Sequence, residues 1–204
     1  MEQYSYKTIK NSSHGLFRDR GSKFLAFAFH VTTEARIKNI LDDLRREYHD
    51  ASHHCYAWII GTNKYHFRAN DDGEPSGTAG RPVLGQIQKH DLTNILIVVI
   101  RYFGGTLLGT GGLINAYRSA ASDALANSEI ITKTINELIE LTFPYAVMNS
   151  VMKVLKEEQV EQVAQDFDTD CKIKVSIPVE RSERLTGRLR SIGKVSVNKL
   201  SNNY

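Results

Sequence analysis

The chain has 204 residues and a mass of 23.0 kDa, a length that holds one large domain or two small ones at roughly 100–150 residues each. With 41% hydrophobic and 24% charged residues it has ordinary globular usage, which excludes a disordered tail, a collagen-like repeat and a coiled-coil rod. The formal charge of +3, from 26 basic and 23 acidic residues, permits contact with nucleic acid without demanding it. Residues 137–204 carry equal numbers of Lys/Arg and Asp/Glu, so the whole excess lies in residues 1–136.

The first twenty residues are polar and hold no apolar h-region, so no secretory signal is predicted. The strongest apolar run, Ile95 to Ile100, falls far short of the ~18 residues of a membrane span. Cys55 and Cys171 stand far apart and make no disulfide framework. The expectation is a cytoplasmic protein that does not engage a membrane.

Residues 4–31 read as β structure. Leu25, Phe27, Phe29 and Val31 alternate with Ala26, Ala28 and His30, the period of a strand with one buried face; Phe24 breaks the pattern and suggests cover on the other face too. Ile37, Ile40, Leu41, Leu44 and Tyr48 follow at helical spacing, with Thr32 or Thr33 as N-cap and Glu34 in the first turn. Cys55 to Ile60 is an aromatic-rich strand ending at Gly61. Asn63 to Gly80, with three glycines, a proline and three acids, reads as a long loop without a regular element, a length often tied to function. Val83 to His90 reads as a short helix opening after Pro82. Ile95 to Ile100 suits a strand buried on both faces. After the glycine-rich RYFGGTLLGTGGL, a helix is predicted from about Leu113 to Ala126, whose Ala116, Ala120, Ala121 and Ala124 allow close packing on a sheet.

A domain boundary is predicted near Thr132 to Asn136, dividing the chain into residues 1–132 and 137–204. In the second part Ile139, Leu141 and Phe143 alternate as a strand closed by Pro144. Val147, Val151, Val154 and Leu155 mark a helix, and a weaker strand covers about Val160 to Phe167. Cys171, Ile173, Val175 and Ile177 alternate strictly. Glu180 to Ile192 reads as a helix stopped by Gly193, and Val195 and Val197 make the last strand. The order βαββαβ is that of the ferredoxin-like split βαβ unit, so the fold class is α+β.

The sharpest chemical signal is the strand, glycine loop and helix from Ile95 to Ala126. Gly104, Gly105, Gly109, Gly111 and Gly112 crowd nine positions, where backbone can approach a ligand or take positive φ. Amides at the following helix start favour an anion, and Arg101 stands just before the loop. Gly104 and Gly109 have Walker spacing, but Thr110 replaces the required Lys, and no GxGxxG is in register; a tight packing turn is the alternative. His53 and His54, adjacent on an extended segment, point to opposite faces, and no CxxC or HxxxH completes a zinc set. No metal or other cofactor is predicted. Asp71, Asp72 and Glu74 form either a carboxylate cluster for Mg²⁺ or acid–base work, or simply an acidic turn. Arg101 has two possible partners, an external phosphate or one of these acids.

NDDGEPSGTAGRPVLGQI followed by VVIRYFGGTLLGTGGLINAY resembles the YigZ/IMPACT family. The similarity extends upstream through ASHHCYAWIIG and, more weakly, Ser22-Lys23-Phe24, covering most of residues 20–125. One departure is Asn70, where members often have Ser. The resemblance implies a first domain with the ribosomal-protein superfold of elongation factor G domain IV, and a second like that factor's domain V. Eukaryotic relatives regulate translation by competing for the activator of an initiation-factor kinase, while bacterial members have no settled reaction.

Two functions follow. The first is a non-enzymatic regulator of translation that binds RNA or the ribosome, with a protein partner in translation control also possible. Its binding residues would be Arg68, Asp72, Glu74, Arg81, Arg101, Tyr102, Gly104, Gly105, Gly109 and Gly111, with aromatic Tyr65 and Phe103 nearby. The alternative is an enzyme acting on a phosphorylated small molecule or nucleotide through the glycine loop. No catalytic residue is assigned.

Overall fold

The computed structural model describes residues 4–168 and 170–200. The chain divides into two compact units, residues 6–133 and residues 134–200 with residues 4–5.

In the first unit, strands β1 (Ser5–Ile9), β2 (Ser13–Asp19) and β3 (Ser22–His30) precede helix α1 (Glu34–Glu47). Strands β4 (His53–Ile60) and β5 (His66–Asn70), helix α2 (Gly80–Lys89), strand β6 (Ile95–Tyr102), helix α3 (Gly109–Ala126) and strand β7 (Ile130–Thr134) follow. A five-stranded antiparallel sheet runs in the order β2-β3-β6-β4-β5, and β1 pairs with β7 in a separate ribbon.

The sheet is covered on both faces. On one, Phe27, Tyr56, Trp58, Leu96, Val98 and Ile100 pack against Ile37, Ile40, Leu41 and Leu44 of α1. On the other, Phe24, Ala26, Ala28, Cys55, Ala57 and the odd-numbered residues of β6 pack against α2 and α3. This explains the residues of β3: large side chains face one helix, while alanines let two helices approach the opposite face. Thr33 caps α1, its hydroxyl accepting from the Arg36 amide at 3.3 Å. The alanine stripe of α3 comes so close to β2 that a Cβ on Gly15 would lie 2.3 Å from the Ala124 nitrogen.

Two expectations for this unit require correction. The segment between β4 and α2 is not wholly irregular, because His66–Asn70 pairs with β4 as an edge strand. Its residues are mostly exposed, so no burial pattern marks it in the sequence. Helix α3 begins at Gly109 rather than Leu113, which places Gly109, Gly111 and Gly112 inside its first turn.

The second unit holds β8 (Asn136–Phe143), α4 (Met148–Glu157), β9 (Glu161–Phe167), β10 (Cys171–Pro178), α5 (Val179–Ser191) and β11 (Ser196–Leu200). Its antiparallel sheet has the order β11-β8-β10-β9, the arrangement of a split βαβ unit. One core joins Ile139, Leu141, Phe143, Ile173, Val175 and Ile177 to Val151, Leu155, Leu185 and Leu189 of the helices.

Candidate functional site

Strand parity sets the site. Along β6, Ile95, Ile97 and Val99 face α2 and α3, and the alternation carries Arg101 to that same face while Tyr102 packs on the α1 side. Arg101 is buried. Its Nη1 donates to Glu74 Oε1 at 2.7 Å, and the Tyr117 hydroxyl of α3 donates to the same oxygen at 2.7 Å. The guanidinium lies between two rings, with its central carbon 5.5 Å from the centroids of both Phe24 and Phe103, a favourable cation–π arrangement. Arg101 Nε has no hydrogen-bond partner.

This network floors a pocket of about 530 Å³, bounded by Ser52, His53, Pro75, Phe103 and the start of α3. His53 reaches it from the first position of β4, opposite Arg101 in the register. Its Nδ1 lies 2.8 Å from the Asp72 carbonyl oxygen; a carbonyl only accepts, so Nδ1 carries the proton and the lone pair of the neutral ring sits on Nε2. That nitrogen is 4.0 Å from Glu74 Oε1. Cys55 lies behind the network, its thiol directed to the Asp71 carbonyl and the Tyr117 hydroxyl. Burial pushes both the Cys55 and Tyr117 pKa values well above their usual ranges, so neither is a ready thiolate or phenolate.

The loop from Asp71 to Ala79 positions Glu74. The Asp71 carboxylate accepts from the amides of Gly77, Ala79 and Gly80 at 2.8, 3.0 and 2.8 Å, serving the start of α2, whose N-cap Ala79 offers no side-chain bond. Burial alone would raise the Asp71 pKa, but these amides and the Arg81 charge outweigh it and hold the carboxyl below its ordinary value. Asp71 organises the loop. Asp72, at φ +42°, accepts from the His54 amide at 2.7 Å.

The start of α3 has the opposite character. Its N-cap is Leu108, with no side-chain cap, and the first turn holds no acid. Its amides therefore retain the partial positive charge of a helix start. Gly109 takes φ +70° at the entry to the helix, and a Cβ on Gly111 would meet nothing within 4 Å.

Among the expected binding residues, Glu74, Arg101 and Gly109 line one pocket, with Gly111 in the same helical turn. Gly105, at φ +85°, lies in the adjoining loop. Gly104 serves packing: a Cβ there would lie 1.9 Å from the Gly21 carbonyl carbon. Tyr102 donates to Asp50 on the α1 side, and Arg68 lies beside Tyr56 and Trp58 in a different depression. Arg81 is exposed with its stem against Gly77. Asp72 does not line the pocket either. Tyr65 is exposed in the turn between β4 and β5, at the end of β4 opposite His53. In the sequence His53 stands out only as a zinc-ligand candidate or as a neighbour of Cys55, and Tyr117 does not stand out; their link to Glu74 depends on cross-strand register and helix packing, which a single sequence does not display. Among the described residues no group of three or more His, Cys, Asp or Glu side chains is placed to hold a metal ion.

A buried charge network closed by a loop, set against an uncapped helix start, defines a pocket in a mixed α/β domain. Residues 20–125 match the Impact N-terminal domain. The chain is 34% identical over 156 residues to IMPACT family member YvyE of Bacillus subtilis, covering 76% of this chain and 72% of that protein. It is 30% identical over 182 residues to IMPACT family member YigZ of Escherichia coli, covering 88% and 89%. A crystal structure of a hypothetical protein superposes with a TM-score of 0.77 at 27% identity, covering 99% of this chain and all of that one. The chain belongs to the IMPACT family.

Proposed function

We propose that this protein is a non-enzymatic, cytoplasmic regulator of translation that binds RNA or the ribosome through the end of the first unit where α3 begins. The observation that carries this reading is the uncapped first turn of α3, free of acids, beside the exposed side chains of Phe103 and Leu107. Amides at a helix start accept phosphate oxygens, and exposed apolar and aromatic groups supply sequence-tolerant contact with bases. The excess positive charge in residues 1–136 favours the same partner. Family membership supports a role in translation, and the sheet order of the second unit fits the likeness to elongation factor G domain V that the sequence resemblance implies. Co-sedimentation with ribosomes at low salt and release at high salt is the expected result; absence from the ribosome pellet at low salt overturns the ribosome reading.

One observation favours a second reading, an enzyme acting on a phosphorylated small molecule or nucleotide. His53 Nε2 carries an available lone pair at the pocket wall, the requirement for a general base. Loss of turnover in His53→Ala, with ligand binding retained, would establish it.

A further inference from the structure

We infer that the pocket beneath α3 holds one unpaired base of an RNA strand, and that it selects bases with an exocyclic amine over uracil. This assignment rests on the reading of this end of the first unit as an RNA-binding surface and adds to it a preference among bases.

Two side chains bring hydrogen-bond acceptors to this pocket. His53 Nδ1 donates to the Asp72 carbonyl, which leaves the lone pair of Nε2 free at the pocket wall. Glu74 is the second. Its side chain is 3% exposed and the residue lines the same pocket. The bonds it accepts from Arg101 and Tyr117 both fall on Oε1. Among the described residues Oε2 accepts none, yet it is not sealed inside the protein, so it remains open to a donor from the pocket. An unmet acceptor in so buried a group is costly, and a ligand that supplies the donor recovers that cost. Arg101 offsets the charge of Glu74, so the floor suits a neutral donor better than a cation, and its lone pairs oppose an anion.

The remaining features select the ligand. His53 Nε2 lies 4.0 Å from the Glu74 carboxylate, so the two acceptor groups are neighbours. The two hydrogens of one amino group can serve both, through bonds of about 2.9–3.0 Å. An indole or a phenol brings a single donor and leaves one acceptor unmet. The exocyclic amine of adenine or cytosine brings two, on a flat ring, whereas uracil turns a carbonyl oxygen to the same edge. Pro75, Phe103, Leu108 and Leu113 form an apolar wall, and the half-exposed Phe103 ring offers a face for a base to stack on. At about 530 Å³ the pocket has the size of a small-molecule site, with room for one base and its ribose. The excess positive charge of residues 1–136 favours the strand that carries the base.

Titration of the full chain with three RNA hexamers of equal charge tests this assignment: adenylate, uridylate, and purine riboside, whose base is adenine without its amine. Adenylate should bind about tenfold or more tighter than either of the others, because a site built around an N–H group rejects a ligand that lacks it. His53→Leu removes one acceptor and leaves the Arg101–Glu74 pair in place. It should narrow the gap between adenylate and purine riboside to about threefold or less. Should His53→Leu fold poorly, a hexamer of N6,N6-dimethyladenylate repeats the test on the unaltered chain. It keeps the ring, loses both donors, and should bind no better than purine riboside. Equal affinity for the adenylate and purine riboside hexamers overturns the inference, as does a gap that persists in folded His53→Leu. In the first of these events salt-sensitive binding of all three hexamers leaves the broader RNA-binding reading standing, and no binding of any hexamer at low salt removes both.

Discussion

Arg101 Nη1 donates to Glu74 Oε1 at 2.7 Å, with both side chains buried beneath the α3 end of the sheet. The pair joins a strand end to the acidic loop, so the pocket and the loop are one structural unit. Between the two partners open to Arg101 in the sequence, an internal acid and an external phosphate, this bond gives Nη1 to the acid while Nε stays unpartnered.

Arg101→Met leaves Glu74 buried without its cation, a change that costs about 3–5 kcal/mol. Glu74→Gln in the same chain removes the stranded charge while keeping an acceptor for Tyr117, and most of the loss should return. Urea midpoints of the two single variants and the double variant check this. Independent, additive losses would show that the pair is not coupled.

Two glycines of the glycine-rich segment, one in the loop and one in α3, should respond in opposite ways. Gly104→Ala drives a Cβ into the backbone of Gly21 and Ser22, at 1.9 and 2.2 Å, where neither can yield, and should cost about 1–3 kcal/mol or more. Gly111→Ala meets open space inside a helix and should stabilise by about 0.5–1 kcal/mol. Thermal denaturation of both variants distinguishes a packing glycine from a merely permissive one.

In the second unit, Glu158 is buried and accepts from Arg184 and Arg188 of α5 at 2.5 and 2.8 Å, with Arg181 at 3.4 Å. The bonds from Arg188 and Arg184 pull its pKa down to about 2. A carboxyl with a depressed folded-state pKa contributes stability above its unfolded value of about 4.3, which is lost as pH falls toward about 2. Stability should therefore decline across that window, and Glu158→Gln should flatten this part of the profile while lowering stability at neutral pH. An unchanged acid limb in the variant would assign the decline to other groups.

The two units should unfold separately. Their buried clusters share no residue, and the five-stranded and four-stranded sheets each lie within one unit. Limited proteolysis near residues 132–136 should leave a folded fragment of residues 137–204. One cooperative transition in calorimetry, with no stable fragment, would contradict independent folding.

Much of this fold is legible in the sequence because its signals are local. The strict alternation from Cys171 to Ile177 and the helical spacing from Ile37 to Leu44 each specify an element and its buried face. The edge strand His66–Asn70 escapes such reading because an exposed strand needs no apolar alternation. The early start of α3 escapes it because Gly109, Gly111 and Gly112 are poor helix formers, held there by the packing of the rest of the helix. The site was half visible. Arg101, Glu74 and the glycines could be named from the motif, whereas His53 and Tyr117 join them only through strand register and the packing of α3 on the sheet.

The most direct test of the central claim is fluorescence anisotropy of a labelled 5′-hydroxyl 12-nucleotide RNA titrated with the full chain at increasing KCl. Contact with three or four phosphates predicts a log–log slope of about −2 to −3, and Gly111→Asp should make it shallower. Affinity that is indifferent to salt, or no binding at low salt, would contradict a role in RNA binding.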